Sequence, residues 1–248
     1  MTQKLKKYLY EEVRELKKGV LLPEYICWWI FRFCMAGMII YNVHREREKM
    51  IILTMCLNFF ITFIIPILRI VFFKKIFLGN LPYRVQSFID MFVFAGSFLG
   101  HGLDFNGTVE NYDKYLHFAS GGIAVIIGYL ILKSVKSGNK LSPGFKTVCA
   151  AGFSCVVIVL WEIFEFFSDM LIENSLNQNP YYNPENSGFI FFKIFGYGVN
   201  GSSQYPVLDT DLDIIVASFG IAICALGLYI YLKIKEKNFY PRQSATSC

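Results

Sequence analysis

The stretch TVCAAGFSCVVIVLWEIFEFFSDML, residues 147–171, decides the fold. Its 25 residues are long enough for a helix to cross a bilayer, which takes about 20. Three carboxylates sit in its last part: Glu162, Glu165 and Asp169. They are spaced i, i+3 and i+7, so on a helix they share one face. An apolar helix that keeps three acids in line needs partners for them, and those partners must come from its neighbours.

The rest of the chain is equally apolar. Of 248 residues, 54% are hydrophobic, 17% aromatic and only 17% charged, and the mean hydropathy is +0.43. This excludes an ordinary soluble domain. Cys27, Cys34, Cys56, Cys149, Cys155 and Cys224 lie within apolar runs and Cys248 ends the chain, with no C-x-x-C pair among them. They read as small hydrophobes rather than zinc ligands, redox centres or disulfide partners. The net charge of +5 comes from clustered Lys and Arg, first in KLKKYLYEEVRELKK, residues 4–18. These clusters flank apolar spans, so they indicate membrane orientation rather than nucleic acid. The N-terminus carries acids, and its first apolar run starts late, with no cleavage site after it; it is not read as a signal peptide.

The pattern predicts an all-α bundle of six membrane spans at about 24–43, 50–72, 87–105, 114–133, 147–171 and 210–232. Residues 1–23 form a basic arm whose amphipathic helix is predicted to lie on the membrane surface. The membrane domain runs over 24–233, with an outer loop at 172–208 and a tail at 234–248. With the N-terminus inside, the inner segments carry 18 Lys and Arg and the outer loops 5. The bias places both termini in the cytoplasm, although HREREK at 44–49 runs against it. The outer loop contains FIFFKIFGYG at 189–198, and its aromatic character predicts an interfacial lid.

With this topology the embedded polar residues converge on the outer half of the membrane. The third span ends with His101 and Asp104. The fourth begins NYDKYLHF, with Asp113 and His117 at i and i+4. The sixth begins DTDLD, with Asp209 and Asp213 at the same spacing. At ~1.5 Å per residue, Glu162 lies about 14 Å and Glu165 about 9 Å below the outer end of their helix. An acid at mid-membrane costs about 2.5–3.5 kcal/mol on insertion scales. The outer cations, Lys114 and Lys193, both near loops, are too few for Asp113, Glu162, Glu165, Asp169, Asp209 and Asp213. Protons or a bound metal remain, and with His117 in the set a divalent metal is the economical choice. Carboxylate and imidazole ligands suit Zn, Mn, Fe or Mg.

Bland readings stand beside this one. Asp113 and Asp209 sit where plain helix capping would place an acid. Glu165 and Asp169 sit near a helix C-terminus, where capping does not explain them. His101 is either a supporting group or a core histidine. Arg32 and Asp90 are predicted to form a structural ion pair. Small residues in HFASGG (117–122), CAAG (149–152) and ASFGIA (217–222) predict close packing of the last three spans.

Three segments carry a family likeness: YDKYLHFASGG, LWEIFEFFSDML and LDTDLDIIVASFG. They resemble the D-K-x-x-H-F, W-E-x-x-E and D-T-x-x-D pattern of the YjdF-type membrane proteins of bacteria. The matching residues are Asp113, Lys114, His117, Phe118, Trp161, Glu162, Glu165, Asp209, Thr210 and Asp213. The likeness covers about 85–230; a weaker one links DKYLHF and the last span to VanZ-like proteins. The resemblance implies a multi-pass protein of the bacterial cytoplasmic membrane and brings no reaction with it.

Three functions compete. The first is a metal-dependent enzyme of the outer leaflet. Asp113, His117, Glu162, Glu165, Asp209 and Asp213 would hold the ion, with His101, Asp169, Thr210 and Lys114 in support. Glu165, or else Glu162, would act as general base on a lipid or lipid-linked envelope precursor. The absence of a Ser or Cys nucleophile motif argues against covalent catalysis. The second is a transporter whose acids bind a cation or relay protons, against which stand the lack of an inverted repeat and the sparse inner polar path. The third is a non-catalytic accessory protein in which the cluster only fixes packing. Expected partners are membrane lipids, and nucleic acid is not among them.

Overall fold

The structure is a computed structural model that describes residues 3–46, 49–72, 77–135, 138–171 and 205–239. Among these residues all regular structure is helical. α1 spans Gln3–Gly19, α2 Leu22–His44, α3 Lys49–Ile61 and α4 Ile64–Phe72. After a 3-10 turn at Phe77–Asn80 come α5 (Arg84–Val93), a π-helical continuation at Phe94–Gly102 and the short α6 (Phe105–Thr108). Then follow α7 (Tyr112–Ser134), a 3-10 turn at Gly138–Lys140, α8 (Pro143–Leu171) and α9 (Tyr205–Phe239). Helices α2, α7, α8 and α9 are long and apolar enough to cross a membrane, and the bent pair α3–α4 makes up to five candidate spans. Their apolar side chains point outward, with Phe33 70% and Val148 68% exposed, as lipid-facing residues would be.

The three long C-terminal helices form the tightest part of the bundle. Val125, Ala150, Ile158, Ala217 and Ile221 make their common core. The small residues of α7 and α9 act as expected, whereas Gly152 of α8 has open space beside it. A Cβ added at Gly121 would collide with the carbonyl oxygen of Ala217, and one at Gly220 with that of Phe118. Helices α7 and α9 are therefore in backbone contact, which only glycine allows at both points. Ser154 Oγ donates to Gly121 O at 2.8 Å and ties α8 to the same place.

The second predicted span is not one straight helix. Its halves, α3 and α4, meet at 52° across Thr62 and Phe63. Pro66 explains the break. It has no N–H to offer the carbonyl four residues earlier, Thr62 O, and its ring would clash there. That carbonyl instead accepts from the Arg32 guanidinium. Gln86 of α5 spans the rest of the gap: Ile65 N donates to its Oε1 at 2.9 Å, and its Nε2 donates to Ile61 O at 3.3 Å. One side-chain amide thus replaces the missing backbone bond between residues 65 and 61. Arg32 also meets Asp90 Oδ2 at 3.3 Å, the predicted ion pair, and lies 4.2 Å from the Phe63 ring centre. Both ions are buried, and the ring faces supply the cation with further contacts.

The third predicted span also differs in form. It starts at Arg84, earlier than expected, and leaves the helix after Gly102, so Asp104 lies beyond it. Its second half, FAGSFLGHG, is π-helical, and Leu103 N closes it on Phe98 O at 2.9 Å. Stacking of Phe31, Phe94 and Phe98, at 4.4 and 4.7 Å between centres, holds the widened turns.

Helix α1 is anchored to protein. Glu12, 4% exposed, receives Arg69 Nε at 2.7 Å and NH2 at 3.2 Å, and Tyr83 OH at 2.9 Å. Tyr8 OH donates to Arg69 O at 2.7 Å. Burial, and then its hydrogen bond to Glu12, push the Tyr83 hydroxyl up to about 12.

Candidate functional site

The buried stripe of α8 runs Ala150, Ser154, Ile158, Glu162, one residue per turn. The same periodicity that packs this helix on its neighbours carries Glu162 into the bundle. On α7 the inward residues are Lys114, His117, Gly121 and Ala124; on α9 they are Asp209, Leu212, Asp213, Val216 and Ala217. The polar groups thus extend the faces that form the glycine contact, and the close approach of α7 and α9 brings their first turns together. The start of α7 is set by Asn111, whose left-handed backbone (φ 59°) turns the chain into the helix. Tyr112 OH donates to Ala95 O at 3.0 Å and pins that start to the π-helical segment.

Two linked groups result. In the first, the Lys114 ammonium donates to Asp209 Oδ1 at 2.6 Å, Asp213 Oδ1 at 2.7 Å and Asp113 Oδ2 at 3.1 Å. In the second, His117 Nε2 lies 3.5 Å from Asp113 Oδ1 and 3.7 Å from Asp213 Oδ1, and its Nδ1 lies 3.6 Å from Glu162 Oε1. His117, Glu162, Glu165 and Asp213 each offer one donor atom, all within 4.8 Å of one another; Asp113, Asp209 and Asp213 do the same. Trp161 Nε1 donates to Glu165 Oε1 at 2.8 Å, on a face of α8 where Trp161, Phe164 and Phe167 are exposed.

Several of these atoms are buried with no hydrogen-bond partner among the described residues: His117 Nδ1, both carboxylate oxygens of Glu162, and Asp213 Oδ2. His117 and Glu162 are each 5% exposed and Asp213 1%. Buried polar atoms are almost always paired, and a buried charge left alone costs several kcal/mol. Five carboxylates, those of Asp113, Asp209, Asp213, Glu162 and Glu165, face one lysine and one histidine. The cluster therefore attracts positive charge.

All six residues predicted as ligands are brought together. Lys114 is not a loop cation: it is 6% exposed and sits at the centre of three carboxylates. Its spacing to His117 and Gly121, i, i+3 and i+7, was the available signal, since it puts the three on one face. Thr210 is half-buried beside Asp209. His101, on the π-helical segment, lies within electrostatic reach of Asp113 and Asp104. Asp104 is exposed and stands apart from the cluster. The Asp169 side chain, Lys193 and loop residues 172–204, with the predicted lid, lie outside the described residues; from Tyr205 the chain is already helix. The sequence reading missed the Trp161 contact to Glu165, although W-x-x-x-E is itself an i, i+4 pair.

A bundle of long apolar helices around a buried polar cluster defines a multi-pass integral membrane protein. Residues 26–234 match the family described as Predicted membrane protein (DUF2238), and the chain belongs to that family. The match takes in the first two spans, which the sequence likeness over 85–230 did not reach. No curated protein and no solved structure matches the chain.

Proposed function

We propose that the protein holds a divalent metal ion with His117, Glu162 and Asp213, keeps Glu165 beside it as general base, and uses it on a lipid or lipid-linked cell-envelope substrate. The observation that carries this reading is the set of buried atoms on His117, Glu162 and Asp213 that make no hydrogen bond among the described residues. One donor atom of each residue lies within 4.8 Å of the others, so a single cation would meet all three side chains. Ligands about an ion with ~2.1 Å bonds sit ~3–4 Å apart, so donor atoms within 4.8 Å need to close by only about 1 Å. One imidazole and several carboxylates suit Zn, Mn, Fe or Mg. Asp113 and Asp209 belong to the wider site, where they balance Lys114.

Such an ion would polarise a phosphoryl or acyl oxygen and acidify bound water. Glu165 is the better placed general base, because it is only half-buried and Trp161 steadies one of its oxygens. Glu162, deeper and fully enclosed, serves as ligand. The exposed aromatic face beside Glu165 favours substrate entry sideways from the membrane. This reading takes α5 and its π-helical continuation as a sixth span and α1 as an inner-surface helix. The Lys and Arg bias of 18 to 5 then puts both termini in the cytoplasm and the cluster toward the outside.

One observation favours a second reading, cation- or proton-coupled transport. The α3–α4 break, with Arg32, Asp90 and Gln86 around it, resembles the interrupted helices of transporters. The test is metal content of the detergent-purified protein beside Glu162→Gln and His117→Ala. Stoichiometric metal lost from both folded variants supports the enzyme reading. Metal-free protein whose variants alter ion or proton flux in liposomes supports transport. Variants that fail to assemble point to a packing role.

A further inference from the structure

Asp213 belongs to both polar groups. Its Oδ1 receives Lys114 at 2.7 Å and lies 3.7 Å from His117 Nε2. Its Oδ2 has no partner among the described residues, though the residue is 1% exposed. A carboxylate shared between two cation positions is the signature of a dinuclear centre, in which the ions stand ~3.5–4 Å apart. Here one of the two positions already holds a positive charge.

The Lys114 ammonium meets three carboxylate oxygens at 2.6, 2.7 and 3.1 Å. These N–H···O contacts are mostly at charge-assisted lengths. The oxygens come from both α7 and α9, as ligands around an ion would. An ammonium is a compact point charge, and without it the buried Asp209 would lose its cation and Asp113 and Asp213 would keep only His117, at 3.5 and 3.7 Å.

We propose that the Lys114 ammonium occupies the second-cation position of an Asp213-bridged pair. The centre of this protein is therefore built for one exchangeable metal beside one fixed, covalently tethered charge. Removing the lysine charge turns the centre into a two-metal site. The inference rests on the metal reading of His117, Glu162 and Asp213. It adds a stoichiometry that a merely structural salt bridge would not predict.

The test is Mn2+ binding to the full-length protein in detergent, with bound equivalents measured and spin coupling read by electron paramagnetic resonance. The parent protein is expected to bind one Mn2+ with an uncoupled spectrum. Lys114→Ala and Lys114→Met are expected to bind two, with the exchange-coupled spectrum of a close pair. Adding Asp209→Asn to either is expected to return the count to one. Lys114→Gln keeps a hydrogen-bond donor toward the acids without the charge and is expected to bind two as well, so it serves if the other lysine variants do not fold. One equivalent in folded Lys114 variants, or two in the parent, would each overturn the inference. A parent protein that binds no divalent metal would instead sink the underlying reading.

Discussion

Glu162 carries two buried oxygens with no donor among the described residues, which makes it a sensitive probe of what the cluster is for. A residue kept only for packing loses stability when changed. A ligand held in place against its own desolvation does the opposite in the absence of its ion. Glu162→Gln is therefore expected to leave the melting temperature of the metal-free protein unchanged or raised, while metal affinity falls at least about tenfold, the 1.4 kcal/mol that one lost ligand readily exceeds. Thermal unfolding with and without chelator checks both halves. The acids were legible from the sequence because helical spacing gathers them on faces. The role of Lys114 was not, because its partners Asp209 and Asp213 are 95 and 99 residues away, and only the approach of α7 to α9 brings them within reach.

At the scale of elements, two devices hold the bundle, and each predicts its own failure. The Gly121 and Gly220 contacts admit no side chain. Gly121→Val is expected to cost about 1–3 kcal/mol or more through overpacking against backbone, seen as a lower unfolding temperature in detergent. The α3–α4 break depends on Gln86. Gln86→Leu would leave Ile65 N–H and Ile61 C=O unpaired, at about 1–3 kcal/mol each. Hydrogen exchange is expected to rise first at residues 61–65. The small-residue motifs were readable because close helix packing selects them locally. The sequence reading took 50–72 as one span and passed over Pro66, and the groups that repair the break, Arg32 and Gln86, are 30 and 21 residues from their partners Thr62 and Ile65. The π-helical form of Phe94–Gly102 has no periodic signature in so short a segment.

For the molecule as a whole, the apolar runs located α2 and α7 to within two residues at each end, while α9 overruns its predicted span by five and seven residues and the second and third predicted spans are broken or part π-helical. What hydropathy could not give was the docking of α1, which centres on the buried cluster of Glu12, Arg69 and Tyr83, with Leu16 packed on the core beside it. Glu12→Ala is expected to free α1, exposing residues 3–19 to limited proteolysis while the rest of the bundle resists. The Tyr83 hydroxyl stands at about 12 in the folded protein, above its ordinary value of about 10. Its contribution is present at neutral pH and lost as pH climbs from about 10 toward 12, so α1 is expected to loosen over that window. The central claim is that one divalent ion sits among side chains of α7, α8 and α9. X-ray absorption of zinc-loaded protein tests it most directly. The account predicts one imidazole nitrogen and carboxylate oxygens at ~2.0–2.2 Å, with the imidazole signal gone in His117→Ala. A spectrum of water oxygens alone, or one that His117→Ala leaves unchanged, would contradict it.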